Sequence, residues 1–284
     1  MGYIILQLMR FFETLIFATG IHMTVSVGGI SFFGFSVAYL VGAYVFAIAA
    51  KAGLTLTVAV IAAILAAVVI GFFFSLLYRR LSDDSFAVFG VASIFAFDAL
   101  VRSWGSVTGG VLGIAGVPRP DFVQSTTALL WLQIAIAVIV LAVEYLLLKA
   151  PFGRALVAHK ESPSLLSSAG VSPKRIGMIA IVLAAGLAGL SGILGAWRIQ
   201  YLDPSFADIQ SFLFGLTICI IATKPKISWL IGASAVVVLL PEVFRFLPFP
   251  ASIFAYLRVL TYGIAMIILV HRISAKYTTN KRTV

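Results

Sequence analysis

Charge is scarce in this chain: only 11% of its 284 residues are Asp, Glu, Lys or Arg, where a soluble globular domain carries about a quarter. That scarcity excludes a water-soluble fold. A domain of this size cannot bury the 62% of residues that are hydrophobic, so most of them must meet a solvent that is itself apolar, which is lipid. Cysteine is almost missing. Cys219 stands alone in an apolar run, leaving no disulfide framework and no thiol pair for metal or redox chemistry. His22, His159 and His271 are far apart in sequence and lack metal-ligand spacing, so no metal site is expected. Acidic residues number ten, and no two are set for general acid and base work. A lipid-modifying membrane enzyme would need a surface cluster of His, Asp or Glu that is lacking. A Gly-Lys pair occurs nowhere, which removes the phosphate-binding loop of nucleotide hydrolases. If ATP drives this protein, another polypeptide binds it.

What the chain has instead is a series of long apolar runs. In lipid the backbone must satisfy its own hydrogen bonds, and about 20 apolar residues in a helix cross roughly 30 Å of hydrocarbon. The runs lack the strand-like alternation of a transmembrane barrel. Candidate spans fall at 3–25, 30–50, 54–78, 86–104, 126–148, 174–197, 209–223, 228–246 and 254–271. The expected fold is therefore all-α: a polytopic integral membrane protein of eight or nine transmembrane helices, a single domain over 1–284. Ser26, Gly28, Gly29, Ser31 and Gly34 make a bendable junction between the first two spans, one of which is expected to be broken or re-entrant. Arg10 and Glu13 interrupt the first apolar stretch, which runs on into further spans, unlike a cleavable signal peptide.

The net charge of +10 does not point to nucleic acid, because the basic residues sit scattered at the ends of apolar runs and form no stripe. They read as orientation signals. With 149–175 in the cytoplasm, that loop, 79–85, 224–227 and the tail 272–284 together hold 13 of the 20 Lys and Arg residues, as the positive-inside bias requires. The Gly-rich loop 105–125 then lies outside. Nine full spans would put the N-terminus outside, and eight would put it inside.

The loop 149–175 carries its own helix signals. Ser162-Pro163 reads as an N-cap followed by proline at the first helical position, and Gly170 suits the left-handed turn that ends a helix. A short helix over about 163–169, bearing Leu165, Leu166 and Ala169, is expected outside the membrane, docked on a partner or lying in the lipid interface. Asp98 and Arg102, four apart, are expected to pair, as a structural bridge or along a translocation path. Glu144, near the end of its span, is expected to snorkel or to pair with Lys149 in preference to relaying protons. Ala184, Ala188, Gly192 and Ala196 recur every four residues with Gly186, Gly189 and Gly195 beside them; they read as a close helix contact in preference to a substrate surface, as do Gly42, Ala43 and Ala47.

Taken together, these features resemble the permease subunits of importers driven by ATP-binding cassette (ABC) proteins, of the branched-chain amino acid type. Thr108-Gly109-Gly110-Val111-Leu112-Gly113-Ile114-Ala115-Gly116-Val117-Pro118-Arg119-Pro120 is similar to the family's outer loop. Gly153-Arg154-Ala155-Leu156, followed seventeen residues after Gly153 by Gly170-Val171, is similar to its cytoplasmic coupling segment. Gly29, Gly34, Gly42-Ala43-Tyr44, Ala188-Gly189-Leu190-Ser191-Gly192 with Ala196, and Pro204-Ser205 extend the likeness over about 18–245. Three positions depart from it: Ala222-Thr223-Lys224-Pro225-Lys226 replaces a Gly-Gly-x-Gly-Ser turn, Phe214 a glutamate and Phe32 a serine.

The resemblance implies a non-catalytic subunit in a prokaryotic cytoplasmic membrane, without cofactor. Its implied partners are ABC ATPase subunits that bind the ATP, a second permease subunit, like or unlike, and an extracytoplasmic solute-binding protein. Gly153, Arg154, Lys160, Glu161, Leu165, Leu166 and Gly170 would couple to the ATPase. Thr108, Gly109, Gly110, Pro118 and Arg119 would face the binding protein. Gly29, Gly34, Gly42, Asp98, Arg102, Ala188, Gly189, Gly192 and Ala196 would pack helices or line the path. Branched-chain or other apolar amino acids are the implied cargo, with urea, amides or sugars on the same scaffold as alternatives. An ion-coupled secondary transporter is the rival class, but the spans offer few midplane ionisable residues and no clear duplication.

Overall fold

In a computed structural model of the chain, which describes residues 2–207, 209–222 and 224–244, the apolar runs are helices. Helix α1 (Gly2–Ile21) continues into a π-helical turn, His22–Val27, and the chain then runs without helix to α2 (Phe35–Lys51). There follow α3 (Leu56–Tyr78), α4 (Asp83–Ser103), the single turn α5 (Gly105–Thr108) and α6 (Thr126–Lys149). Two short helices, α7 (Pro151–Glu161) and α8 (Pro163–Ser168), lead to α9 (Pro173–Ile199), then α10 (Ile209–Ile221) and α11 (Ile227–Phe244). Among the described residues six stretches are long and apolar enough to cross a membrane: Gly2–Val27, Leu56–Tyr78, Asp83–Ser103, Thr126–Lys149, Pro173–Ile199 and Pro204–Ile221. Phe35–Lys51 and Ile227–Leu239 are shorter apolar helices. The expected span 254–271 and tail 272–284 lie outside the described residues, as does Thr223.

The bundle is built with small residues inward. On α3 the buried face is Ala59, Ala63, Ala67 and Gly71, four apart, while Ile61, Leu65, Val69 and Phe72 are exposed. Lipid tails are as apolar as leucine, so nothing drives large side chains inward; close backbone approach does the packing instead. The tightest approach is between α2 and α9, where a Cβ on Gly42 would collide with the Cα and carbonyl of Gly189. Around this contact α2, α3 and α9 form the core, with α1 on its flank and α6 behind α1. Helix starts follow local rules: Ser82 and Ser125 cap α4 and α6, and Pro151, Pro163 and Pro173 each stand in the first turn of a helix.

Interhelix contacts define two faces. Tyr78 at the end of α3 meets His159 on α7, and His22 at the end of α1 meets Glu144 near the end of α6, so these ends share the 149–175 face. Arg198 at the end of α9 meets both Glu13 of α1 and Arg119, which puts the entry to α1 on the 105–125 face. A two-residue antiparallel ribbon, Ile114–Ala115 with Tyr201–Leu202, ties that loop to the segment after α9.

Two expectations need correction. The second span begins at Phe35 and not near 30, because the backbone over 28–34 leaves the helix after the π-turn. Within 149–175 there are two helices and not one: α7 was hidden because it is short and mixed in polarity, with Leu156 and His159 buried while Arg154 is exposed.

Candidate functional site

A cavity of ≈420 Å³ opens among α1, α2, α9, α10 and the 203–206 segment, toward the 105–125 face. Its size falls within the roughly 300–1,000 Å³ of small-molecule sites. Glu13 forms its wall. The Tyr39 hydroxyl donates to Glu13 Oε1 at 2.7 Å, Arg198 Nε donates to Oε2 at 2.7 Å, and Ser191 Oγ donates to the Glu13 carbonyl at 2.8 Å. Three helices thereby meet on one carboxylate. Gly195 makes room for it: a Cβ there would press on Glu13 Oε1 and the Tyr39 hydroxyl. Tyr39 stacks on Phe206 with ring centres 5.0 Å apart. Arg10 lies over the Phe214 ring, 5.6 Å from its centre, and Asp203 accepts from Ser205 Oγ at 2.6 Å. Among the described residues the lining therefore holds two cations, Arg10 and Arg198, and two anions, Glu13 and Asp203, beside aromatic surface.

At the opposite face the π-turn is a knot of polar contacts. His22 is fully buried; its Nε2 lies 3.1 Å from the Lys224 carbonyl and its Nδ1 2.7 Å from Glu144 Oε1. A carbonyl only accepts, so Nε2 is the donor in that bond. Ser26 Oγ donates to the Cys219 carbonyl at 3.0 Å. From α7, His159 Nδ1 donates to the Gly28 carbonyl at 2.8 Å while its Nε2 accepts from the Tyr78 hydroxyl at 2.9 Å, and Lys160 Nζ donates to the Ser26 carbonyl at 2.6 Å. Burial draws the Lys160 amine below the usual lysine range. Helix α7 is thus fastened to the π-turn that continues α1, and Glu13 stands 13 residues before Ser26, roughly 20 Å along a helix. π-Turns inside α-helices occur often at functional sites.

The residues singled out in the sequence fall into groups. Helix α8 forms with its Ser162 cap, and Gly170, at φ +79°, closes it: Gly170 N–H donates to the Ser167 carbonyl and Val171 N–H to that of Leu166. Leu165 is 71% exposed while Leu166 is buried. Gly153 fits tightly under the Leu147 and Leu148 backbone, Arg154 Nη1 donates to the Lys149 carbonyl, and Glu161 is exposed. Lys160 is the exception in this loop, since its amine turns inward to Ser26 and not toward a partner. Gly29 lies beside the Lys160 stem and Gly34 against the Phe74 ring. Ala188, Gly189, Gly192 and Ala196 are buried in helix contacts; Gly192 abuts the Tyr39 carbonyl and Gly189 the Ala67 methyl, which leaves them outside the cavity lining. Asp98 and Arg102 form the expected pair at 2.7 Å, largely at the surface and also off the cavity.

In the 105–125 loop, Thr108 Oγ1 donates to the carbonyls of Val101 and Trp104 and accepts from Gly110 N–H, with Gly109 between them. Pro118 is half-buried. Arg119 needs correction: Nε and Nη2 donate to the carbonyls of Trp197 and Arg198, so its guanidinium caps the negative end of α9 instead of projecting outward. Burial lowers its pKa from the usual arginine value. The outward groups nearby are Val111 and Leu112. Glu144 also needs correction, because it pairs with His22 across the helix interface while Lys149 lies over the Tyr145 ring. Among the described residues no group of His, Cys, Asp or Glu could hold a metal.

Sequence reasoning missed the Glu13–Tyr39–Arg198 cluster, Arg10 and the His22–Glu144 pair. Their signal was present as ionisable residues within apolar runs, where each needs a partner or a function.

Two curated relatives are similar to this chain: the high-affinity branched-chain amino acid transport system permease protein LivM of Salmonella typhimurium, 26% identical, and that of Escherichia coli, 25% identical, each over 259 residues and 81% of this chain. The chain spans 61% of the length of either relative. Among solved structures, PsaBC from Streptococcus pneumoniae in complex with Fab is similar at a TM-score of 0.49 and 14% identity, over 93% of this chain and 89% of that one. Residues 3–270 match the family described as branched-chain amino acid transport system / permease component, and the chain belongs to that family.

Proposed function

We propose that this chain is the membrane-spanning permease subunit of an ABC importer and forms the path for branched-chain or closely related apolar amino acids. The supporting observation is mechanical: an ion-paired cavity at one face is joined through α1 to a helical loop at the other. Two such bundles, this one and a second permease subunit of the same or another kind, would enclose the path. ATP binding would draw a pair of separate ATPase subunits together. Their motion would reach the bundle through α7 and α8, whose exposed Leu165 and Glu161 offer contact, and pass to α1 by the His159 and Lys160 bonds. The loop 149–175 would then face the cytoplasm and the loop 105–125 an extracytoplasmic solute-binding protein. A bundle with two packings responds to ATP only through differential contacts in the two states. The chain performs no chemistry itself.

Purification from membranes in mild detergent, followed by reconstitution with an ABC ATPase, a second permease subunit and a solute-binding protein from the same organism, tests the reading. Uptake of labelled L-leucine that requires ATP is expected. Uptake that proceeds without ATP and stops when an ion gradient is dissipated would establish the secondary-transporter class instead.

A further inference from the structure

We propose that the α1–α9–α10 cavity is a binding site for the zwitterion of an apolar α-amino acid, with Arg10 receiving the carboxylate and Asp203 the ammonium; this rests on the importer reading. The charge inventory is balanced. A site for an anion would carry surplus cations and a site for a cation surplus acids, whereas among the described residues two of each line this wall. Within that balance the groups are not equivalent. Arg198 and Glu13 are committed to one another, and Glu13 also to Tyr39, so this pair acts as framework. Arg10 enters no ion pair or hydrogen bond among the described residues and rests on the face of Phe214, where a ring quadrupole steadies a guanidinium without consuming its donors. Its fork is thus available for bidentate contact with a carboxylate. Asp203 stands on the lining beside the stacked Tyr39–Phe206 rings, so a carboxylate and an aromatic face are both offered to an ammonium.

The remainder of the lining decides the rest of the ligand. Phe17 and Phe214 supply apolar surface for a side chain. At about 30 Å³ per water, ≈420 Å³ corresponds to roughly fourteen waters, room for one amino acid and a few of them.

Equilibrium binding of labelled L-leucine to the purified full chain in lipid nanodiscs tests this. Saturable binding is expected, with L-leucinol, which lacks the carboxylate, and N-acetyl-L-leucine, which lacks the ammonium, competing at least tenfold less well than L-isoleucine. Arg10→Met should weaken L-leucine at least tenfold and Arg10→Lys less. Competition by L-leucinol equal to that of L-isoleucine, unchanged binding by Arg10→Met, or no saturable binding by a folded chain would each overturn the site. The complete assembly keeps the two readings apart: if it takes up L-leucine with ATP while any of those results holds, only the zwitterion site falls, and if it takes up none, the importer reading falls.

Discussion

Truncating Glu13 to alanine should be among the most damaging single changes in the bundle, and the loss can be sized from its surroundings. The carboxylate is nearly fully buried, 5% exposed, and holds Arg198 and Tyr39 each at 2.7 Å. With charge centres roughly 4 Å apart and an effective dielectric of about 20, the Glu13–Arg198 attraction is about 4 kcal/mol. Removing one partner of a buried pair typically costs about 3–5 kcal/mol, because the other charge is left uncompensated. Arg198 keeps some access to solvent at 19% of its side-chain surface, which favours the lower end. Glu13→Ala should therefore cost about 3 kcal/mol, on the order of a hundredfold in the folded-to-unfolded ratio. Arg198→Ala should cost a similar amount. The double variant should cost clearly less than the two together, with a coupling of about 1–3 kcal/mol, because neither charge is then stranded. Unfolding by SDS in mixed micelles, followed by tryptophan fluorescence, measures all four corners of the cycle. Single-variant losses that add to within about 0.5 kcal/mol would refute the reasoning, since independent sites behave that way.

At Gly42 even a methyl group collides with the Gly189 backbone, so Gly42→Ala should force α2 and α9 apart at a cost of about 1–3 kcal/mol, seen as earlier unfolding in the same assay. Gly170→Val places a β-branched residue at φ +79°, which should loosen α8 by about 1–2 kcal/mol per strained residue and reduce ATP-dependent uptake while total helix content by circular dichroism stays within a few per cent. The Lys160 amine has a folded-state pKa below its free value of 10.5 because burial disfavours its charged form, so the unfolded chain binds more protons just below 10.5 and stability should rise with pH as that value is approached; Lys160→Met should flatten the rise in a pH series of unfolding curves. A cysteine at exposed Ser164 should react with a membrane-impermeant thiol reagent in inside-out vesicles and not in intact cells, and reaction in intact cells would reverse the proposed orientation.

What could be read from the sequence was whatever adjacent residues decide. Apolar runs placed the six described candidate spans and the two shorter apolar helices within a few residues of their ends, apart from the start of α2. Ser162, Pro163 and Gly170 marked α8, because cap, first-turn proline and left-handed closure act within one or two turns. The Asp98–Arg102 pair followed from a four-residue spacing on one helix. Small residues four apart on α9 announced close packing, and Gly42 against Gly189 is that packing. The cavity and the knot beneath it were decided by tertiary structure alone. Glu13 meets Arg198 across 185 positions, His22 meets Glu144 across 122 and His159 meets Gly28 across 131. Helices that are apolar on every side carry no periodic mark of which face turns inward, so a polar residue on one of them has no partner legible from its neighbours. Only when Gly42, Gly189 and Gly195 let the backbones close does Glu13 find Tyr39 and Arg198, and α9 acquire Arg119 as its cap.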